Sequence, residues 1–272
     1  MSGSRIAEPE IEAILDLGRY PLADLASDRG RALVDRCRRE LAAEGACQLD
    51  RLLRPDAIRS VVEEAIGLAA MAFRTEAVHN VYFVDIPSEA AEDDLRAVTV
   101  RSAKRALSWK HFDDGSPLRT LYEWDGLVAF LREVLELPSL YRDADPVGAC
   151  SVMFYDANDE LGWHFDNSEF AVTLMLQACE AGGAYEFVPA TRSAEDENVA
   201  SVQAVLAGER DLVRSLEIEP GTLTLFRGRN SLHRVTPVAG SRVRMNAVLA
   251  YASDPDHELE PLTRELFYGP GS

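Results

Sequence analysis

The sequence predicts an α+β protein, mainly β, in which a helical first half supports a β-sandwich or barrel of the jelly-roll kind. Three observations predict it. Up to about residue 145 the apolar residues recur at helical spacing; after Pro146 six short β-rich runs follow one another between turn residues; and no repeat, low-complexity tract or Pro/Ser-rich linker divides the chain. The 272 residues are therefore read as one domain: helical support over about 1–145, a β core over about 146–254 with a helical insert at about 191–212, and a tail over 255–272.

From Asp28, "DRGRALVDRCRRELAAEG" places Leu33, Cys37 and Leu41 on one face at spacing four, and Gly45 is placed to end the helix. A second helix opens at Pro55, where proline suits the first turn, and keeps Ile58, Val62, Ala65 and Ala69 on one stripe. A third runs near 118–135 through Leu121, Val128, Leu131 and Leu135.

The β-rich runs are "ACSVMFY", "FAVTLMLQA", "AYEFVPA", "LEIEPGTLTLF", "LHRVTPV" and "RVRMNAVLAYA". Gly182-Gly183 and Pro220-Gly221 supply turns between them, as a jelly roll requires. Between Ala190 and Leu216 a charged insert has helical spacing at Val199, Val202 and Leu206, started by the acids Glu195 to Glu197, and could cover one open end of the sandwich.

Composition excludes several classes. A net charge of -18 repels phosphate backbones and anionic membrane surfaces, so neither a nucleic-acid nor a membrane partner is expected. No apolar run approaches the roughly 20 residues of a membrane span, and the first residues lack the basic and apolar parts of a signal peptide; a cytoplasmic location is expected. Cys37, Cys47, Cys150 and Cys179 are too scattered for a zinc knuckle or a disulfide framework and read as buried thiols.

The chemistry gathers at "GWHFDNSEF". His164 and Asp166 lie two apart between β-runs, so both side chains point the same way on an extended segment. Of the other histidines only His233 falls in a later β-run. Two histidines and one carboxylate on one face of an ion, with the other positions open, form the facial triad of non-heme Fe(II) oxygenases. Arg244 follows eleven residues after His233 and two before Asn246. Its guanidinium can hold a carboxylate by two parallel hydrogen bonds, which implies an anionic co-substrate. Arg242 shares the strand alternation; the spacing from His233 favours Arg244 over it. The second His-x-Asp, His111 and Asp113, has no β-run around it and reads as solvated.

With "HFD", His233 and "RMN" in order, the chain resembles the Fe(II)/2-oxoglutarate-dependent oxygenases. From "RYPLADL" through "HNVYF", "LYEWD", "LGWHFDNSEF", "AGGAYEFVP" and "EPGTLTLFRGRNSLHRVTPV" to "LFYG" it is similar to the bacterial free-amino-acid hydroxylases and halogenases. That resemblance implies a double-stranded β-helix (cupin-like jelly roll) core, and Fe(II) on His164, Asp166 and His233. It also implies 2-oxoglutarate on Arg244 with help from Asn246, O2 as the second co-substrate, and a small amino-acid-like substrate. Halogenating members lack the metal-binding carboxylate; Asp166 is kept, which favours hydroxylation with release of succinate and CO2. In these relatives an upstream arginine grips the substrate carboxylate, and Arg101 in "VTVRSAKRALSW" stands at the similar place.

The bland readings stand beside these. Arg101 could be a surface arginine paired with an acid, and His79 of "HNVYF" either lines the substrate pocket or is a satisfied core histidine; Asn167, next to the metal ligands, is a further substrate contact to test. Leu161, Val147 and Asn167 occupy the regions where lysine-specific relatives contact the substrate amine, which argues against lysine itself. The competing function is a cupin-like metal or ligand sensor without turnover. Desaturation, cyclisation or halogenation by the same machinery is the other alternative. The oligomeric state is not readable.

Overall fold

A computed structural model describes residues 6–89, 91 and 94–270; the first five residues and the last two of the 255–272 tail lie outside the described residues. Helix α1 spans Glu8–Ile14 and α2 spans Asp28–Glu44. In α2 the Ser27 side chain accepts the Gly30 N–H, and Gly45, at φ 74°, closes the last turn in the left-handed region where glycine has no Cβ penalty. The expected Leu33, Cys37 and Leu41 are buried, with Val34 beside them.

Helix α3, Pro55–Gly67, starts at its proline but buries Ala57, Val61 and Ala65; Ile58 and Val62 lie at the edge of the core, and Ala69 falls beyond the helix in a single 3₁₀ turn. The third expected helix is two: α4, Pro117–Glu123, and α5, Asp125–Leu135. The chain is extended at Trp124, whose ring fills the space over Gly126, where a Cβ would be 2.1 Å away.

The first half is not all helix. It contributes β1 (Ala46–Leu49), β2 (Phe73–His79) and β3 (Val100–Ser108). Charged residues on the outward positions of β2 and β3 hide their alternation. The second half supplies β4 (Cys150–Tyr155), β5 (Glu160–His164), β6 (Ala171–Gln177), β7 (Tyr185–Val188), β8 (Arg214–Leu216), β9 (Leu223–Phe226), β10 (Leu232–Val235) and β11 (Arg244–Leu249). These form an 11-stranded antiparallel sheet in the order β1-β9-β6-β11-β4-β3-β5-β10-β7-β8, with β2 on the other edge of β3. It curls into two layers at β3, whose C-terminal half pairs with β4 and whose N-terminal half pairs with β5. The result is the expected double-stranded β-helix.

One face of the larger layer, including Val172, Leu174, Phe154, Ala247 and Leu249, packs against α1 to α5 in the main hydrophobic core. The other face carries Thr224, Thr173, Asn246, Met153, Arg244 and Lys104 toward β5, β10 and β7. Thr173, Asn246 and Val248 are half-exposed although β6 and β11 have neighbours on both edges. The interior between the layers is therefore open to solvent.

The insert does not cover an end of the sandwich. Its helix α6, Val199–Leu206, packs Val202 and Val205 against Trp163, Phe165, Val188 and Leu232 on the outer side of the smaller layer. Asn198, with φ 48°, precedes it, and Glu195 to Glu197 stay outside the helix. The element that does approach the interior is in the expected tail: α7, Pro261–Tyr268. Buried Asp145 anchors it, accepting from the N–H groups of Val147, Gly148 and Leu259 and from the Arg264 guanidinium. At its end the Tyr268 hydroxyl donates to Ser151 Oγ on the interior face. Among the described residues no helix is long and apolar enough to cross a membrane, and all four cysteines are free.

Candidate metal centre

His164 and His233 are direct cross-strand partners on β5 and β10, so both rings leave the sheet on the same side, with centroids 4.0 Å apart. Asp166 follows the end of β5, its N–H donating to Gly228 O at 3.1 Å. One ligand atom from each of the three lies within 4.8 Å of the others. Asp166 Oδ1 stands 3.6 Å from His164 Nε2 and 3.4 Å from His233 Nε2.

The tautomers are set from behind. His164 Nδ1 donates to Gly162 O at 2.8 Å and His233 Nδ1 to Ser231 O at 2.9 Å, leaving each Nε2 lone pair facing Asp166. Burial, reinforced by His233, pushes the His164 pKa down to about 4, so its ring is neutral near pH 7. Burial alone would raise the Asp166 pKa, yet the two histidines beside it hold it well below the usual carboxylate range. The three ligand atoms share one face.

Two buried polar atoms lack partners where the proposed groups would bind. Asp166 Oδ2 has no hydrogen bond, and neither has Arg244 Nη1. Arg244 is 2 % exposed; its Nε donates to Gly183 O at 3.0 Å, and burial lowers its pKa. A divalent ion and an organic anion are the groups that satisfy these atoms, since a buried charge is stable only when paired or coordinated. Arg242, by contrast, is exposed and donates to Cys179 O. Asn246 shares the interior face with Arg244 and is half-buried.

The three expected substrate contacts are each engaged by other residues. Arg101 points away from the interior, on the opposite face of β3 from Ser102 and Lys104, and is paired with Glu76 at 2.9 Å and Glu160 at 3.1 Å. That face of the strand looks away from the interior. His79 has both nitrogens engaged: Nδ1 with Asn80 O at 2.8 Å and Nε2 with Ser102 Oγ at 2.6 Å. The Asn80 carbonyl can only accept, so Nδ1 carries the ring proton and the Ser102 hydroxyl, which also accepts the Gly162 N–H, donates to Nε2; burial lowers the His79 pKa. Asn167 is exposed and its side chain donates to Thr263 Oγ1 of α7 at 3.2 Å.

Other residues at the centre were not legible as functional. Gly228 leaves no room for any side chain: its Cβ would lie 1.7 Å from Asp166 Oδ2. Tyr185 and Phe226 pack on the His233 ring at 5.6 Å and 5.0 Å. Phe83, half-exposed at φ 54°, brings its ring to 5.1 Å from His164. The signal for Gly228 was present in "FRGRNSLH", a glycine in the turn before the ligand histidine. Phe83 and Tyr185 had none beyond ordinary core composition.

Residues 30–268 match the model of a family described as HalD, halogenase D. No curated protein matches the chain. Among solved structures it is similar to AviO1 from Streptomyces viridochromogenes, at 18% identity and TM-score 0.55 over 81% of this chain and 95% of that one. It is also similar to the non-heme alpha-ketoglutarate-dependent epimerase SnoN from nogalamycin biosynthesis, at 13% identity and TM-score 0.54 over 82% and 83%. A Pseudomonas putida prolyl-4-hydroxylase aligns at 15% identity and TM-score 0.50 over 79% and 97%. At these identities the structures show a shared fold.

Proposed function

The chain belongs to the halogenase D family and carries the His-Asp-His triad of the iron- and 2-oxoglutarate-dependent oxygenases, and on that premise we propose that it hydroxylates an unactivated C–H bond of a small amino-acid-like metabolite. The observation that carries the choice of hydroxylation is Asp166. Its carboxylate faces both histidines with Oδ2 unpaired, so that with a metal bound it would serve as the third protein ligand in place of a halide.

His164, Asp166 and His233 would hold Fe(II), and Arg244 would take the distal carboxylate of 2-oxoglutarate through its free Nη1, with Asn246 beside it. When bound, the metal and the keto acid supply O2-dependent oxidation coupled to decarboxylation, giving succinate and CO2. The chain's part is orientation. The carbonyls of Gly162 and Ser231 fix the imidazole rings, and the Tyr185 and Phe226 rings keep water from the His233 side. Gly228 leaves Asp166 free to ligate.

The test is an anaerobic titration of metal-free protein with Fe(II) and then 2-oxoglutarate, following the visible metal-to-ligand charge-transfer band, with Asp166→Ala and Arg244→Ala alongside. The reading expects a band that both substitutions weaken. Iron binding with no band favours the sensor instead. Product analysis under labelled O2 with chloride present then separates the two chemistries: chlorine in the product would sink hydroxylation, and labelled oxygen would support it.

A further inference from the structure

Among the described residues only two lysine or arginine side chains are buried, Arg244 and Lys104, each 2 % exposed and both on the interior face. Arg244 pairs with Tyr155 across β11 and β4, and Arg105 with Phe154 across β3 and β4. The two cations therefore flank β4 two strands apart, about 10 Å by strand spacing. Arg244 has a role in the reading above. Lys104 has none.

Lys104 makes no hydrogen bond or ion pair among the described residues. Asp159, the acid whose charge reaches it, spends its oxygens on the Arg74 guanidinium and the Asp156 N–H. The Lys104 ammonium rests instead over the Phe267 ring of α7, 3.6 Å from the centroid. A ring quadrupole is a weak substitute for a counter-ion, and a buried cation without one is costly. Burial accordingly lowers the Lys104 pKa to about 7.

A continuous aromatic wall joins this ammonium to the metal centre. Phe267 lies edge-on to Phe83 at 6.0 Å, and Phe83 reaches the His164 ring at 5.1 Å. Phe83 is held there under strain. A positive φ in a bulky residue is rare, and the fully buried Asn80 enforces it by accepting from the N–H groups of Tyr82 and Val84 while donating to the carbonyls of Val84 and Arg96.

We propose that Lys104 binds the carboxylate of the substrate, and that the substrate is an organic anion whose apolar body lies along Phe83 and Phe267 with its reacting carbon at the metal. This rests on the oxygenase reading and gives it a substrate class. It also replaces Arg101 with a residue on the opposite face of the same strand. The bound carboxylate displaces the Phe267 ring as the partner of the ammonium, so α7 lines the substrate site.

The experiment exploits composition: the sequence holds two lysines, Lys104 and Lys110, so a 13Cε-lysine label gives two signals that Lys104→Met assigns. The protein is loaded with diamagnetic Zn(II) and 2-oxoglutarate, with 3-phenylpropanoate as probe and 3-phenylpropanamide as its neutral control. The acid is expected to move the Lys104 signal and not that of Lys110, the amide to move neither, and the acid to bind Lys104→Met at least tenfold more weakly. Lys104→Met should melt at or above the wild-type temperature, because it removes an unpaired buried charge. The proposal is overturned if acid and amide act alike, if the acid moves nothing, or if Lys104→Met binds the acid normally while melting lower, as a mere pin for α7 would. Weakened 2-oxoglutarate binding in Lys104→Met would overturn it too, by giving the lysine to the co-substrate. The charge-transfer band, read separately in wild type, bears on the oxygenase reading alone.

Discussion

The two faces of the larger sheet layer are made by the same strands and follow opposite rules. On β6, Val172, Leu174 and Leu176 face the helices, each 1 % exposed or less, while Thr173 faces the interior and is half-exposed. On β9, Leu223 and Leu225 join the core, while Thr224 turns inward with Oγ1 buried and unpartnered. The helix-facing side maximises apolar burial, the main favourable contribution to folding. The interior side keeps Asp166 Oδ2 and Arg244 Nη1 buried without partners and the Lys104 ammonium set over the Phe267 ring, features that a fold selected for stability alone would not keep. Stability is concentrated on one side of the sheet and binding capacity on the other.

Substitutions on either side should separate these roles. The largest effect is expected at the centre: Gly228→Val or Asp166→Ala weakens Fe(II) binding at least tenfold in equilibrium dialysis, with the fold retained by circular dichroism. A Gly228→Val protein that binds iron normally would show that Asp166 is not a ligand. Next, Leu174→Ala on the helix-facing side lowers unfolding free energy by about 2–5 kcal/mol in denaturant titration. Its neighbour Thr173→Ala, facing the interior, changes it by no more than about 0.5 kcal/mol. Equal losses at the two positions would break the contrast.

Arg244→Met weakens 2-oxoglutarate binding by about 2–3 kcal/mol in calorimetry, the worth of charge-assisted hydrogen bonds, while leaving thermal stability the same or higher. A drop in melting temperature with unchanged affinity would make Arg244 structural. The smallest effect is Thr224→Val, which replaces an unpartnered hydroxyl by a methyl group and should stabilise by up to about 1 kcal/mol. Destabilisation there would mean that the hydroxyl has a partner in solution.

The helix-facing half of this contrast could be read from sequence more readily than the interior half. The Leu33-Cys37-Leu41 stripe, the Gly45 stop and the β-runs after Pro146 are local patterns, and they fold where expected. The break at Trp124 was hidden because its cause is the packing of the indole on Gly126. Strands β2 and β3 were hidden because their outward positions carry Arg74, Glu76, Arg101 and Arg105, whose ion pairs mask the β alternation. The stripe of α3 shifted from Ile58 and Val62 to Ala57 and Val61 because small residues let α3 pack close against the core. Helix α7 lay in what read as a tail, since its anchor is Asp145, more than a hundred residues away.

The sequence alone carried the candidate triad and the family of folds, because both are written in local patterns: a His-x-Asp on an extended segment and a later histidine on a β-run, with an arginine eleven residues after it. Only the tertiary structure decided which remaining residues face the metal. Arg101 and Lys104 are three apart on one strand, so the pleat sends them to opposite faces, and their roles depend on which face the curled sheet encloses. Sequence proximity to a motif cannot supply that information, since a residue's environment is set by the strands and helices that pack over it, here β2, β5 and the distant α7.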